Sequence, residues 1–194
     1  MFLDAMAWID EETGIVLGDN TKGCMTLLRS TNEGGHWQRI PCEDLPKPRP
    51  NEAAFAASNG NLCAKSDTAW AFTGGASSRV FRSLDRGASW TAYDMPIVQG
   101  GTMTGAFSAT FADAHLGWAM GGDWSRPDDN NGNLVQTLDG GESWSLLSEG
   151  QGPGYRSSIV HHPKDHNVLV ANGFAGLEWS NDWGASWQSI SDSG

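Results

Sequence analysis

The chain has little positive charge, few cysteines, almost no tyrosine and no long apolar run. Twelve Lys and Arg stand against 23 Asp and Glu, a formal net charge of −11. That balance argues against a nucleic acid or an anionic membrane surface as partner, because both require clustered basic side chains. No apolar run approaches the length of a membrane span. Met1 is followed by Phe2-Leu3-Asp4-Ala5-Met6, which reads as a strand and not as a signal peptide. Three cysteines, Cys24, Cys42 and Cys63, allow at most one internal disulfide, and their spacing fits no zinc motif. Helical periodicity is sustained nowhere, so an all-β chain is expected.

What is abundant is glycine and tryptophan, 25 and ten residues in 194. Both follow from an eight-residue pattern, [Ser/Thr]-x-[Asp/Asn]-x-Gly-x-x-Trp, that occurs four times. Its fixed positions are Ser30, Asn32, Gly34 and Trp37; Ser83, Asp85, Gly87 and Trp90; Thr137, Asp139, Gly141 and Trp144; and Ser180, Asp182, Gly184 and Trp187. The copies start 53, 54 and 43 residues apart, a period that belongs to propellers and other repeat architectures. Each position has a mechanical reason. The hydroxyl and the carboxylate or amide bond turn backbone. The glycine permits positive φ in a tight hairpin. The indole returns into the next strand and covers the turn.

Aligned on these hairpins, the chain divides into four blades of four strands, about 2–41, 53–94, 105–148 and 155–191, in a single domain. The first strands are expected at Phe2–Ile9, Ala53–Ser58, Gly105–Phe111 and Arg156–His161. Ile15, Trp70, Trp118 and Val168 fall at equivalent places in the second strands, each shortly before a glycine, as strands packed against a neighbouring blade should. Four whole blades leave no spare strand for closing a ring by strand exchange, so part of a longer propeller is expected, with a closed four-bladed ring as the alternative. An open arc would expose an apolar blade face at each end and associate through those faces.

The pattern resembles the Asp-box, or BNR repeat, of sialidase-like β-propellers, sortilin-type receptors and Ycf48-like assembly factors, and the resemblance covers nearly the whole chain. It implies an all-β propeller whose four antiparallel blades belong to a larger ring of six to eight, and an extracytoplasmic location. It also implies that the boxes join the third and fourth strands of each blade, away from the face where ligands bind.

Two functions follow, neither with a cofactor. Sortilin-like and Ycf48-like propellers grip a peptide or protein partner without a catalytic set. Non-catalytic recognition of a protein or glycan by the loop face opposite the boxes is therefore the first reading, with Arg79, Asp123, Trp124, Arg126, Tyr155 and Arg156 as contact residues. An exposed aromatic beside arginine is the usual anchor composition at an interface. The alternative is an exo-acting, retaining sialidase-like glycoside hydrolase. Such enzymes hold a substrate carboxylate with three arginines and use a Tyr activated by a Glu, with an Asp as acid/base. Arg79, Arg126 and Arg156 would be the triad, Tyr155 with Glu52 the nucleophile pair, and Asp123 or Asp19 the acid. No metal set is expected. The run Asp128-Asp129-Asn130-Asn131-Gly132-Asn133 lacks the register of a helix-loop-helix calcium loop and reads as a solvated turn. The adjacent His161 and His162 point to opposite strand faces.

Overall fold

A computed structural model describes residues 2–56, 59–147 and 149–191. They form antiparallel sheets that stack face to face. The first contains β1 (Leu3–Trp8), β2 (Gly14–Thr21), β3 (Cys24–Ser30) and β4 (Gln38–Arg39), paired in chain order. A single 3₁₀ turn, Cys42–Asp44, follows, and a disulfide joins Cys42 to Cys24; Cys63 is free. Then come β5 (Glu52–Ala53), β6 (Leu62–Lys65), β7 (Thr68–Phe72), β8 (Gly74–Gly75), β9 (Arg79–Ser83) and β10 (Thr91–Asp94). The third blade holds β11 (Thr104–Phe111), β12 (Gly117–Asp123), β13 (Leu134–Thr137) and β14 (Ser145–Leu146). The fourth holds β15 (Ser158–His161), β16 (Leu169–Gly173), β17 (Gly176–Ser180) and β18 (Gln188–Ser191), again in chain order.

The second blade departs from expectation. Its first strand is β6, not Ala53–Ser58, and the blade runs β6-β7-β9-β10. Residues 57 and 58 of the expected strand lie outside the described residues. β6 is short and contributes one fully buried apolar residue, Leu62, so it carries little hydrophobic signal. Ala53, expected to open that blade, instead forms β5 with Glu52 and pairs with β8; β8 in turn pairs with Gly105 of β11. The third sheet is therefore six-stranded, and β8 stitches the second blade to the third. Glycine makes this crossing feasible: a Cβ on Gly74 would meet Thr104 O at 2.4 Å, and one on Gly121 would meet Gly105 O at 1.8 Å.

Three cores lie between the blades. Ala5, Ile15, Leu17 and Leu27 of the first blade pack on Leu62, Ala69, Ala71 and Phe81 of the second. Trp70, Phe72 and Val80 pack on Ala109, Phe111, Ala119, Val135 and Trp144 of the third. Trp118, Met120 and Leu134 pack on Ile159, Leu169 and Ala171 of the fourth. Strand register sets the equivalences: Ile15 pairs with Arg29, Trp70 with Arg82, Trp118 with Gln136 and Val170 with Trp179. The fourth-blade counterpart is thus Val170 and not Val168, which lies in the turn before β16. Both are valines two residues apart on the same alternation, so a pattern alone selects the wrong one.

Every repeat closes in one way. The hydroxyl of Ser83 donates to Asp85 Oδ1 at 2.8 Å and accepts the Gly87 N–H at 2.8 Å. Asp85 then accepts the Ser89 amide at 2.8 Å and the Ser89 hydroxyl at 2.6 Å. The third and fourth copies repeat this network around Asp139 and Asp182. The first copy has Asn32, which accepts only the His36 amide at that end. Residues four and five of each copy are both left-handed: Glu33 and Gly34, Arg86 and Gly87, Gly140 and Gly141, Trp183 and Gly184.

That pair of dihedrals aims the fourth residue's N–H at the hairpin between the first two strands of the same blade. Glu33, Arg86, Gly140 and Trp183 donate to Glu12, Asp67, His115 and Asn167 carbonyls. The fourth residue's carbonyl faces the preceding blade, where Arg29 donates to Arg86 O, Trp70 to Gly140 O and Trp118 to Trp183 O, at 2.7–3.1 Å. The second, third and fourth repeats therefore each fasten their own blade and the one before it. Trp90 and Trp144 are buried lids that donate to Gly87 and Gly141 carbonyls, whereas Trp37 and Trp187 are half-buried. Among the described residues no helix is long and apolar enough to cross a membrane.

Candidate functional site

Antiparallel order places the second-to-third strand connections and the links between blades at the strand ends opposite the repeats. The sequence candidates reach that end but do different jobs there. Arg79, at the start of β9, is buried and forks onto Glu52 at 3.0 and 2.6 Å, with a further bond to Lys47 O. Glu52 also accepts the Thr73 hydroxyl and the Arg49 amide, both at 2.7 Å. A buried ion pair this fully hydrogen-bonded anchors the link from blade one to blade two. Arg156 is buried likewise against Glu178, with Nε to Oε2 at 2.6 Å, and Nη1 donates to Tyr155 O.

Tyr155 is buried, its ring edge-on to Phe107 at 4.9 Å, and burial raises its phenol to about 12. It is a neutral packing residue at physiological pH. Glu52 is committed to Arg79, so the expected Tyr155–Glu52 nucleophile pair is replaced by two separate structural contacts. The arginine triad is likewise overturned: Arg79 and Arg156 are consumed by Glu52 and Glu178, and only Arg126 of the three faces solvent. Asp19 is exposed at the end of β2. Asp123 accepts the Ser125 hydroxyl and Arg126 Nε, which hold its carboxyl below the ordinary range, so it is not poised as an acid. These ion pairs could not be read from sequence, because Glu178 is remote in the chain and alternates along a strand like any surface residue.

What the face does present is aromatic. Phe55 and Phe107 stack at 4.3 Å, Phe107 meets Tyr155, Tyr155 meets Phe174 at 5.5 Å, and Phe174 meets Trp124 at 6.3 Å. The inner three are buried; Trp124 and Phe174 are 50% and 55% exposed. Phe174 sits at the tip of the two-residue turn between β16 and β17, whose flanking residues Gly173 and Gly176 pair. Sequence reasoning did not single it out. A large apolar residue at the tip of a tight polar turn was the available signal.

Trp124 opens the long connection between β12 and β13. That connection is pinned to the link before the fourth blade: Tyr155 N–H donates to Pro127 O at 2.8 Å, Gly150 N–H to Asn130 O, and Asn133 Nδ2 to Asp129 O and Pro153 O. Asp129 accepts the Asn131 amide and side chain and pairs with Arg126, so the Asp128–Asn133 run is a self-satisfied turn. Among the described residues no cluster of three or more His, Cys, Asp or Glu is arranged to hold a metal ion. Arg126, gripped by Asp123 and Asp129, stands two residues beyond Trp124 and keeps its guanidinium in solvent. The result is a fixed aromatic pair beside one oriented cation. A separate cleft of about 310 Å³ opens at the other end, beside the first repeat, lined by Arg29, His36, Arg39 and Asp44. Its arginines are occupied by Arg86 O and by Thr21 O and Thr26 Oγ1.

No protein-family model matches the sequence. No curated protein matches it either. Solved structures do. YCF48 bound to D1 peptide superposes with a TM-score of 0.66 at 16% identity, over 100% of this chain and 54% of that one. YCF48 from Cyanidioschyzon merolae gives 0.56 at 16%, over 97% and 56%. The GH74 enzyme of Niastella koreensis gives 0.56 at 12%, over 98% and 38%. The chain spans about half the length of the YCF48 structures and less of the enzyme. At these identities the likeness establishes the fold alone, an all-β propeller architecture.

Proposed function

We propose that this chain is a non-catalytic propeller scaffold that binds a polypeptide segment through Trp124 and Phe174, on the loop face opposite the repeats. The carrying observation is the exposed Trp124–Phe174 pair, backed by three buried rings and held by loops hydrogen-bonded to each other. Exposed aromatics on a rigid base bind with little loss of side-chain entropy, and a Trp with a neighbouring Arg is the composition of an interface anchor. Arg126 suits a carboxylate or main-chain carbonyl of the partner. A neighbour of the same architecture, YCF48, was solved with D1 peptide, which supports a peptide over a glycan as the ligand class.

On this reading the four repeats are Asp-boxes, supported by their shared hydroxyl–carboxylate–amide network, and they serve the fold alone. The four blades form one domain within a ring of more than four. The Cys24–Cys42 bridge supports an oxidising compartment outside the cytosol.

The test pans a random peptide library on the wild-type chain and measures the recovered peptides by calorimetry. Trp124→Ala and Phe174→Ala should each weaken binding about tenfold or more, the range of an interface anchor. Equal affinities in both variants would contradict the proposal. Turnover of a fluorogenic sialoside, lost on Tyr155→Phe, would replace it with the hydrolase.

A further inference from the structure

We propose that His161 makes the junction between the third and fourth blades a pH-sensitive latch, which holds the Trp124–Phe174 pair together while its ring is neutral and releases a bound peptide on acidification. What is released rests on the peptide reading; the latch itself does not.

Four of the five histidines, His115, His161, His162 and His166, lie in or beside two first-to-second strand turns, 112–116 of the third blade and 162–168 of the fourth. His161 closes β15 and meets the third blade. Its Nδ1 is hydrogen-bonded to Thr110 Oγ1 of β11 at 2.7 Å, and its ring stacks with Trp118 of β12 at 6.4 Å. Trp118 is fully buried in the core of that junction and also stacks with Trp183 of the fourth repeat, at 6.1 Å. The His166 ring stands edge-on to His161 at 5.4 Å. Two residues before His161, the Ile159 amide donates across the junction to Ser108 Oγ of β11 at 3.1 Å.

In a chain with 23 acidic residues, the charges acting on this ring are basic. Burial first, then His166, Lys65 at the end of β6, and His162 hold His161 below its ordinary value. Thr110 gives the ring a hydroxyl, which carries no charge to offset a proton. The carboxylates of the adjoining turns are engaged elsewhere: Asp113 accepts the His115 and Leu116 amides, and Asp182 the Ser186 amide and hydroxyl. Lys164 and Asp165 donate only their backbone amides, to His162 Nδ1. Burial raises the Cys63 thiol on β6, so it stays neutral. A histidine held low contributes stability that is fully present above about pH 6.5 and is lost as pH falls through the folded value. The added proton therefore favours a junction opened enough to hydrate the ring. The Trp124–Phe174 pair spans the same junction with one ring from each blade, so opening parts the two halves of the anchor.

The test takes a panned peptide that contains no histidine and measures its binding by calorimetry at about pH 7.5 and about pH 5, either side of the ordinary histidine range. Binding should weaken about fivefold at the lower pH, the small end of coupling between two sites. His161→Gln should bring that ratio to about one, and His166→Gln, which keeps the His161 ring and its packing, should shrink it. Hydrogen exchange of the chain alone, corrected for the intrinsic effect of pH, reads the latch without a ligand. The Ile159 amide should lose protection at the lower pH in the wild type and not in His161→Gln, while the amides of β7 keep theirs. Absence of binding at the higher pH would overturn the peptide reading and with it the release. Binding that ignores pH, an equal loss in His161→Gln, or unchanged exchange at Ile159 would each overturn the latch and leave that reading intact.

Discussion

At Asp139 two effects oppose each other. Burial raises its carboxyl, but the Ser143 hydroxyl, the Ser143 amide and the Thr137 hydroxyl outweigh that and hold it at about 2. A carboxyl held below its unfolded value, about 3.9, contributes stability above that pH and loses it as pH falls through the folded value. Asp139→Asn should therefore destabilise the chain at pH 7 by about 1 kcal/mol, since the site is exposed and screened. The deficit should shrink between pH 4 and pH 2, read as denaturant midpoints. Asp4 has the opposite sign. Burial first, then the Asp19 charge, raise it to about 6, and its Oδ2 is buried without a hydrogen-bond partner. The folded chain holds that proton more tightly, so stability falls as pH rises from about 4 to about 6. Asp4→Asn should melt higher than wild type at pH 8 and equal it at pH 4. The roles of Asp85, Asp139 and Asp182 were legible in sequence because the repeat states them four times. Asp4 was not, because nothing local distinguishes a strand aspartate facing another carboxylate across the sheet.

The hairpin repeat is the element that sequence described best and still incompletely. Its hydroxyl, carboxylate and glycine were read correctly. The left-handed fourth residue was missed because Glu33, Arg86 and Trp183 are not residues that announce positive φ. Strand β6 was missed because one buried leucine in four residues gives no period to count. The indoles are also unequal. Trp90→Ala should cost about 3–5 kcal/mol, the cost of emptying a buried aromatic site. Trp37→Ala, at a half-buried site, should cost less than half of that. Equal unfolding midpoints for Trp90→Ala and wild type would show that the lid does not hold the hairpin.

For the whole molecule, the arc of stacked sheets was legible because a period visible in sequence became a period in space. The proposed recognition face was legible only in outline. Two of its three arginines, Arg79 and Arg156, turned out to be internal ties, and its proposed anchor, Phe174, emerged only when a turn from the fourth blade met a loop from the third. The disulfide was one of three pairings that sequence left open. Cys24 and Cys42 stand 18 residues apart, and a loop of that size stabilises a fold by about 3 kcal/mol through the unfolded chain. Cys42→Ser should lower the unfolding midpoint accordingly, and Cys63→Ser should move it little.

The division between structural repeats at one end of the blades and recognition at the other is tested most directly by hydrogen–deuterium exchange, with and without a panned peptide. Slowed exchange at 123–133 and 173–176, with the four repeats unchanged, is the predicted result. Protection confined to 30–37, 83–90, 137–144 or 180–187 would contradict it.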